Sequence, residues 1–177
     1  DQCGSRGLGD VYKRQFIPSL RKSKGRIVNI GSTASYLSVP GGCAYSASKF
    51  AVRAATDSLR LELAPFDVKV ILVSPGAVES AIWEKGTKYK EKMRQSVNPE
   101  LAELYEPLRK FGDRLSEQVK KIPAVEVAKV VHSAFDSQKP KPYYIVGNDA
   151  KGAAKAARLP VGLLDWILLK RIEKLSK

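Results

Sequence analysis

The sequence predicts an α/β protein built on a parallel sheet. Three short runs rich in β-branched and aromatic residues are typical of buried strands. The segments between and after them carry apolar residues at helical spacing. A strand, a helix, a strand, several helices and a further strand form the pattern of a parallel sheet with helical crossovers. The predicted strands cover residues 26–31, 68–74 and 143–146.

The predicted helices follow from the spacing of apolar residues and from the positions of proline. A long helix begins at Cys43 and ends where Pro65 interrupts it. The charged segment 83–121 contains two prolines and predicts two or three short helices. The other predicted helices cover residues 16–20, residues 124–137 and the tail from 149, which Pro160 breaks.

The composition bounds the class of protein. The chain has 177 residues, enough for one domain with a sizeable core. Its net charge of +13 suits anionic lipid, an anionic cofactor or a solvated basic surface. No RNA-binding motif accompanies the Lys and Arg residues, so nucleic acid is not an expected partner. Two Cys without an evident framework, no secretory signal and no long apolar run favour a cytoplasmic protein.

The stretch from Ser32 to Lys49 is suited to proton transfer. Tyr45 and Lys49 are four residues apart, so they lie on one face of the predicted helix. An ammonium close to a phenol favours the phenolate, and such a phenol can donate or accept a proton near neutral pH. Ser32 follows a predicted strand, where its hydroxyl can bond the oxygen that is being protonated.

Three segments, taken together, resemble the short-chain dehydrogenase/reductase family. They are GRIVNIGS at 25–32, YSASK at 45–49 and VILVSPG at 70–76. The resemblance implies a Rossmann-type, doubly wound parallel sheet, of which this chain holds the C-terminal part with the N-terminal strands missing. It also implies an NAD(P)-dependent oxidoreductase that interconverts an alcohol and a ketone or aldehyde. Such a truncated fragment is expected to be inactive by itself.

The resemblance assigns catalytic roles to three residues. Tyr45 matches the general acid/base of the family. Lys49 matches the lysine that promotes the phenolate and binds the nicotinamide ribose, and Ser32 matches the serine that orients the substrate carbonyl. The cofactor is NAD or NADP, and the choice between them is left open.

Residues 75–80 resemble the PGxxxT loop of the family, which cups the nicotinamide with backbone groups. Ser80 stands where threonine is usual, and it keeps the hydroxyl. Asn29 resembles a structural asparagine of the family strand. The predicted cofactor-binding residues are Tyr45, Lys49, Pro75, Gly76, Val78 and Ser80.

The chain is expected to have three parts. Residues 1–15 lack apolar periodicity and resemble a translated sequencing adapter, so a foreign or artefactual leader outside the fold is predicted. The relay asparagine of the family would fall at Ser5 within this leader. Residues 16–147 are predicted to form the C-terminal part of the dinucleotide-binding domain, with a substrate lid at about 80–121, and 148–177 a helical tail.

The tail resembles the family branch that includes retinol and 17β-hydroxysteroid dehydrogenases, which implies a lipophilic alcohol or carbonyl substrate. Residues 159–177 combine a broad apolar surface with flanking Lys and Arg. Such a helix covers the domain or the substrate cleft, pairs with a second subunit in a homo-oligomer, or lies on a membrane surface. The sequence leaves these alternatives open.

Two other functions fit parts of the sequence. One is a non-catalytic dinucleotide-sensing module, against which the intact set of Ser32, Tyr45 and Lys49 argues. The other is a peripheral membrane-binding module on the same fold. Cys43 is expected to be a small buried filler and His132 an ordinary helix residue, and no metal-ligand cluster is evident.

Overall fold

The computed structural model describes residues 8–176, with side chains for residues 15–175. Three strands in this range form one parallel sheet in the order β1-β2-β3. Each strand lies within one residue of its predicted bounds, and the predicted α/β fold is confirmed. The strands are β1 Arg26–Ile30, β2 Lys69–Pro75 and β3 Tyr143–Val146.

Eight α-helices lie in the described part of the chain. Helices α3, α4 and α5 are the short helices predicted for 83–121, and Pro160 separates α7 from α8 as expected. Single 3-10 turns lie at Thr33–Ser35 and Ala64–Phe66. The helices are α1 Leu8–Ser23, α2 Cys43–Leu63, α3 Ile82–Arg94, α4 Pro99–Leu104, α5 Glu106–Gln118, α6 Ala124–Asp136, α7 Asn148–Ala156 and α8 Val161–Ser176.

Strand β2 is covered on both faces of the sheet. Alternate residues of a strand point to opposite faces. Val70 lies in a cluster with partly buried residues of α1 and α2. Ile71 and Val73 point the other way and pack with Ala134 of α6. Helices on both faces of a parallel sheet form the layered arrangement of doubly wound folds.

The first helix begins earlier than predicted. Helix α1 includes residues 8–15, for which the sequence predicts no helix, so that prediction is wrong there. Local propensity is weak beside tertiary packing, and Ile17 and Leu20 of α1 pack against the cluster around Val70. The foreign origin of residues 1–15 stays a prediction, and Ser5 lies outside the described residues.

The helical tail packs on the segment predicted to be the lid. Helix α8 lies against α5, and Arg114 Nη1 donates to the Leu175 carbonyl at 2.8 Å. The opposite face is open, since Trp166 and Leu169 are 60% and 64% exposed. None of the helices within residues 8–176 has the length and apolarity needed to cross a membrane. The half-buried stripe of α8 consists of Leu164, Leu168, Ile172 and Leu175.

Asn29 and Tyr143 of the sheet each make a side-chain hydrogen bond to α2. Asn29 of β1 is buried and donates from Nδ2 to Thr56 Oγ1 at 2.9 Å, which agrees with the structural role expected for it. The Tyr143 hydroxyl of β3 donates a hydrogen bond to Oδ1 of Asp57, which also accepts from Arg60 at 3.3 Å. Burial raises the pKa of Tyr143, and the bond to the Asp57 carboxylate raises it further.

Replacing Tyr143 with Phe is expected to lower the free energy of unfolding by about 1.5 kcal/mol at neutral pH, because Asp57 loses a hydrogen bond. A raised pKa in the folded state contributes stability below the ordinary tyrosine pKa of about 10. That contribution is lost as pH rises through the folded-state pKa of Tyr143. The difference in unfolding free energy between the parent and Tyr143→Phe should therefore shrink above about pH 10. Urea unfolding of both proteins at neutral pH and above about pH 10 measures this difference.

Tyr89→Phe is the matched control, because Tyr89 is 66% exposed and its hydroxyl lies at the surface. This variant should unfold like the parent protein at both pH values. A difference between Tyr143→Phe and the parent that stays constant with pH would contradict the assignment.

Candidate active site

The ends of β1 and β2 meet at one edge of the sheet. In open parallel sheets, ligands bind outside the carboxyl ends of the strands. The Gly31 amide donates to the Val73 carbonyl at 2.8 Å, which extends the pairing beyond β1. Thr33 Oγ1 donates to the Pro75 carbonyl at 3.4 Å. The turn that carries Ser32 is therefore bonded to the start of the loop after β2.

Ser32 caps the 3-10 turn that follows β1. Its Oγ accepts a hydrogen bond from the Ala34 amide at 3.2 Å, and its amide donates to Ser35 Oγ at 3.1 Å. Arg53 of α2 donates to the Ser35 carbonyl at 3.3 Å and so bonds the turn to α2. Because Oγ of Ser32 serves as the acceptor towards Ala34, its own O–H remains to donate to another oxygen.

Tyr45 and Lys49 lie in the first two turns of α2, as their spacing predicts. Lys49 Nζ donates to the Ile30 carbonyl at the end of β1 at 3.3 Å. The same nitrogen lies 5.8 Å from the centre of the Tyr45 ring, and Tyr45 is 55% exposed. An ammonium has three N–H donors, so Lys49 retains two for other partners.

The 75–80 loop presents a donor and an acceptor on one face. Val78 forms an isolated parallel bridge with Ile122. The Ile122 amide donates to the Ala77 carbonyl, and the Glu79 amide donates to the Ile122 carbonyl, both at 2.9 Å. The N–H and C=O of one trans peptide point in opposite directions. The N–H and C=O of Val78 therefore both point away from residue 122.

Trp83 bonds to that face of the loop. Its indole Nε1 donates to the Val78 carbonyl at 2.7 Å, and Lys121 Nζ lies 4.7 Å from the centre of its ring. A carbonyl oxygen has two lone pairs, so Val78 can accept a second hydrogen bond. The Ser80 carbonyl accepts a hydrogen bond from the Trp83 amide at 3.4 Å. The two ends of the 80–121 segment thus meet beside the loop.

Helix α7 approaches the loop from the side of β3. The Gly76 amide donates to the Val146 carbonyl at 2.8 Å, and the Ala77 amide donates to Asp149 Oδ2 at 2.8 Å. Gly147, just before α7, has a φ of +100°, and a Cβ there would lie 2.6 Å from Asp149 Oδ1. The loop is consequently bonded to β3, to α7 and to residue 122.

A surface cluster of charges joins α3 to α5 in the predicted lid. Asp113 accepts from Arg94 Nη2 at 2.8 Å and from Arg109 Nη1 at 3.1 Å. Arg109 also pairs with Glu106, and this hydrogen bond lowers the pKa of Glu106 and raises that of Arg109. Such exposed pairs add little stability but restrict how the two helices sit against each other.

At the carboxyl edge of the sheet, the Ser32 turn is bonded to Pro75 and Lys49 to Ile30, but the sequence does not predict two partners of the 75–80 loop. Trp83 and Asp149 contact the 75–80 loop, and no pattern in the sequence pairs them with it. The run of glycine, asparagine and aspartate directly after the last strand is a signal for Asp149. Cys43 is exposed in the first turn of α2, so the expectation of a buried filler is wrong. His132 is an exposed residue of α6, as predicted.

The chain belongs to the short-chain dehydrogenase/reductase family. The family profile described as short chain dehydrogenase matches residues 11–91, a range that includes the Ser32 turn, Tyr45, Lys49 and the 75–80 loop. The match begins inside the segment predicted to be a foreign leader. The predicted family resemblance is confirmed.

Curated relatives and solved structures agree with this assignment. The chain is 34% identical to a 3-amino-tetrahydro-pyrrolizinone reductase of Xenorhabdus hominickii, over 89% of this chain and 57% of that protein. It is 33% identical to an NADPH-dependent 3-dehydrocapnine reductase of Ornithobacterium rhinotracheale, over 88% of this chain and 54% of that protein. Retinol dehydrogenase 7 of Rattus norvegicus is 33% identical, over 77% and 44%. The chain spans about half the length of the curated relatives it matches.

The structures place the fold in the same family. A short-chain dehydrogenase from Streptomyces avermitilis has a TM-score of 0.61 and 26% identity, over 91% of this chain and 54% of that one. A short chain dehydrogenase from Burkholderia cenocepacia in complex with NADP has a TM-score of 0.60 and 26% identity, over 88% and 52%. The predicted likeness to a Rossmann-type sheet is confirmed.

Trp83→Phe is expected to loosen the base of the 80–121 segment, because it removes the indole bond to Val78 and keeps a ring beside Lys121. Loss of one hydrogen bond of about 1 kcal/mol raises the population of the open segment roughly fivefold. Trypsin should then cut within α3, which is rich in Lys, roughly five times faster at limiting protease concentration. Trp166→Phe is the matched control, and equal cleavage of both variants would contradict the role of the indole bond.

Proposed function

We propose that this chain is the proton-transfer and nicotinamide-binding part of an NAD(P)-dependent oxidoreductase that interconverts an alcohol and a ketone or aldehyde. One observation carries the proposal. The Ser32 turn, the Tyr45–Lys49 face of α2 and the 75–80 loop lie together at the carboxyl ends of two paired parallel strands. Family membership and the names of the relatives support the same class of reaction.

Ser32, Tyr45 and Lys49 divide the work of moving a proton. The Ser32 hydroxyl donates to the substrate oxygen, because its Oγ accepts the Ala34 amide and its O–H is left to donate. Tyr45 gives a proton to that oxygen in reduction and takes it back in oxidation. The Lys49 ammonium, held at 3.3 Å from the Ile30 carbonyl, lies 5.8 Å from the centre of the Tyr45 ring and places a positive charge beside the phenol.

The residues present fit a nicotinamide dinucleotide. Val78 offers one N–H and one carbonyl on the same side of the 75–80 loop, and a primary carboxamide offers the complementary acceptor and donor. The two free N–H donors of Lys49 suit ribose hydroxyls. Ser80 adds a hydroxyl at the end of the loop. When bound, the nicotinamide supplies or accepts the hydride, while the protein provides position and electrostatics. NAD and NADP both fit this part of the site.

A lipophilic substrate is the class that the predicted lid favours. Helices α3 and α4 and the turn after them expose apolar and aromatic side chains beside the base formed by Trp83. Closing such side chains over an apolar substrate would remove both surfaces from water. A retinol dehydrogenase stands among the relatives. The exposed residues are Tyr89, Met93, Leu101, Leu104 and Tyr105.

Tyr45→Phe in the full-length gene product should lower kcat for reduction of a carbonyl substrate at least about 100-fold, since the proton donor is removed. Binding of NADH or NADPH, measured by fluorescence, should be within about threefold of the parent, since Lys49 and Val78 remain. The substrates to screen are apolar ketones and alcohols. Turnover is followed by the change in absorbance of the reduced cofactor.

Tyr144→Phe is the matched control, since Tyr144 is a half-buried residue of β3 that bonds Lys141 outside the site. It should keep full activity. A Tyr45→Phe protein with undiminished turnover would remove the mechanism. A parent protein that binds the dinucleotide but turns over no carbonyl or alcohol would favour the sensing module instead.

A second role, contact with an anionic membrane surface, is favoured by the open face of α8. Leu163, Trp166 and Leu169 are exposed there, and Lys170 and Lys174 lie among them. A basic helix with exposed apolar residues binds at a lipid interface by apolar burial and charge attraction. The role would place a cytoplasmic enzyme at the surface where lipophilic substrates dissolve. Pairing of the same face with a second copy of the chain is the competing use.

Vesicles containing phosphatidylserine should co-sediment with the parent protein, and the double variant Trp166→Ser with Leu169→Ser should lose most of this binding. Binding should also fall as salt is raised from about 0.1 M to about 1 M, because the screening length drops from about 10 Å to about 3 Å. Phe135→Ser is the control, since Phe135 is 53% exposed on α6. Equal sedimentation of all three proteins would exclude the membrane role.

A further inference from the structure

Asp149 and Ile122 both bond to the backbone of Ala77 in the 75–80 loop. Its Oδ2 accepts the Ala77 amide at 2.8 Å, and the Ala77 carbonyl accepts the Ile122 amide at 2.9 Å. Ala77 is therefore bonded through both of its backbone groups. Because a peptide unit is planar, the Ile122 bond to the Ala77 carbonyl orients the Val78 N–H, and the Asp149 bond fixes the preceding peptide unit, which ends in the Ala77 N–H.

Two glycines allow the Asp149 carboxylate to approach the backbone of the 75–80 loop closely. Gly76 carries no side chain, and a Cβ there would overlap the Asp149 carboxylate. Gly147 has a φ of +100°, and a Cβ there would lie 2.6 Å from Oδ1. Two glycines from two separate strand ends thus leave room for one side chain. A chance contact at the surface would not require glycine at both positions.

The charge and the anchoring of Asp149 also suit a rigid contact. Asp149 is half-buried in the first turn of α7, where the helix dipole favours a negative charge. A carboxylate that accepts a backbone N–H makes a stronger bond than a neutral acceptor. The next residue, Ala150, is fully buried, and α7 packs against the turn Thr33–Ser35. Helix α7 consequently contacts the Thr33–Ser35 turn and, through Asp149, the 75–80 loop.

We propose that Asp149 is a positioning residue that sets the affinity of the site for the nicotinamide cofactor. It touches neither cofactor nor substrate, and it acts through Ala77 on the N–H and carbonyl of Val78. The inference rests on the proposed function, in which Val78 binds the nicotinamide carboxamide. Losing Asp149 removes one of the bonds that order the loop, so that more of the ordering must be supplied when the cofactor binds.

The test is a comparison of Asp149→Ala and Asp149→Asn in the full-length gene product. Asp149→Ala should weaken binding of NADH or NADPH about tenfold, with kcat at saturating cofactor within about threefold of the parent. Asp149→Asn keeps a side-chain oxygen at the same reach and should recover most of the affinity. Asp165→Ala, an exposed aspartate of α8, should bind the cofactor like the parent.

A double-mutant cycle with Gly76→Ala separates this role from general destabilisation. The added methyl group displaces the carboxylate, so Gly76→Ala should weaken cofactor binding in the parent. In the Asp149→Ala background the same change should cost much less, because no carboxylate is left to displace. Additive effects of the two changes would overturn the proposal.

Three further outcomes are decisive. If Asp149→Ala lowers the melting temperature and leaves cofactor affinity unchanged, Asp149 is structural only and this inference alone fails. The same holds if Asp149→Asn and Asp149→Ala lose equal affinity. A parent protein that binds neither NADH nor NADPH would overturn the proposed function, and the positioning role with it.

Discussion

The pairing of β2 with a parallel strand on each side is the constraint on which the rest of the molecule depends. Ile30 of β1 lies opposite Val73 of β2, and Pro75 lies opposite Val146 of β3. All three strands consequently end at one edge of the sheet. The two faces of β2 are closed by α1 and α2 on one side and by α6 on the other. The carboxyl edge is left for the loops, and the candidate site is made from them.

Hydrogen bonds at this edge turn flexible loops into a defined surface. Ser32 is held by a capping box, Lys49 by the Ile30 carbonyl and the 75–80 loop by Ile122 and Asp149. Ser32 keeps an O–H, Lys49 keeps two N–H donors and Val78 keeps an N–H for other partners. Preorganised donors and acceptors of this kind need no rearrangement when charge develops on a substrate. The open polar groups therefore matter as much as the satisfied ones.

Much of this arrangement is visible in the sequence because it depends on local periodicity and on short motifs. Strand β3 has its predicted bounds, and α2 begins at Cys43 as predicted. The spacing of Tyr45 and Lys49 places both on one helix face, which any α-helix with this sequence would do. The sequence predicts no helix at residues 8–15, whereas α1 includes them. The reason is that glycine lowers the local helix propensity, and propensity does not account for packing on the sheet.

The sequence by itself determined the parallel α/β class, the strands and the position of Tyr45 and Lys49 on one helix face, because these follow from patterns within a few residues. Only the tertiary structure decided what holds the 75–80 loop. Asp149 and Ala77 are far apart in sequence, and their contact depends on the parallel register that puts the ends of β2 and β3 side by side. The packing of α8 on α5 was decided in the same way, since an amphipathic helix carries no information about which surface will cover it.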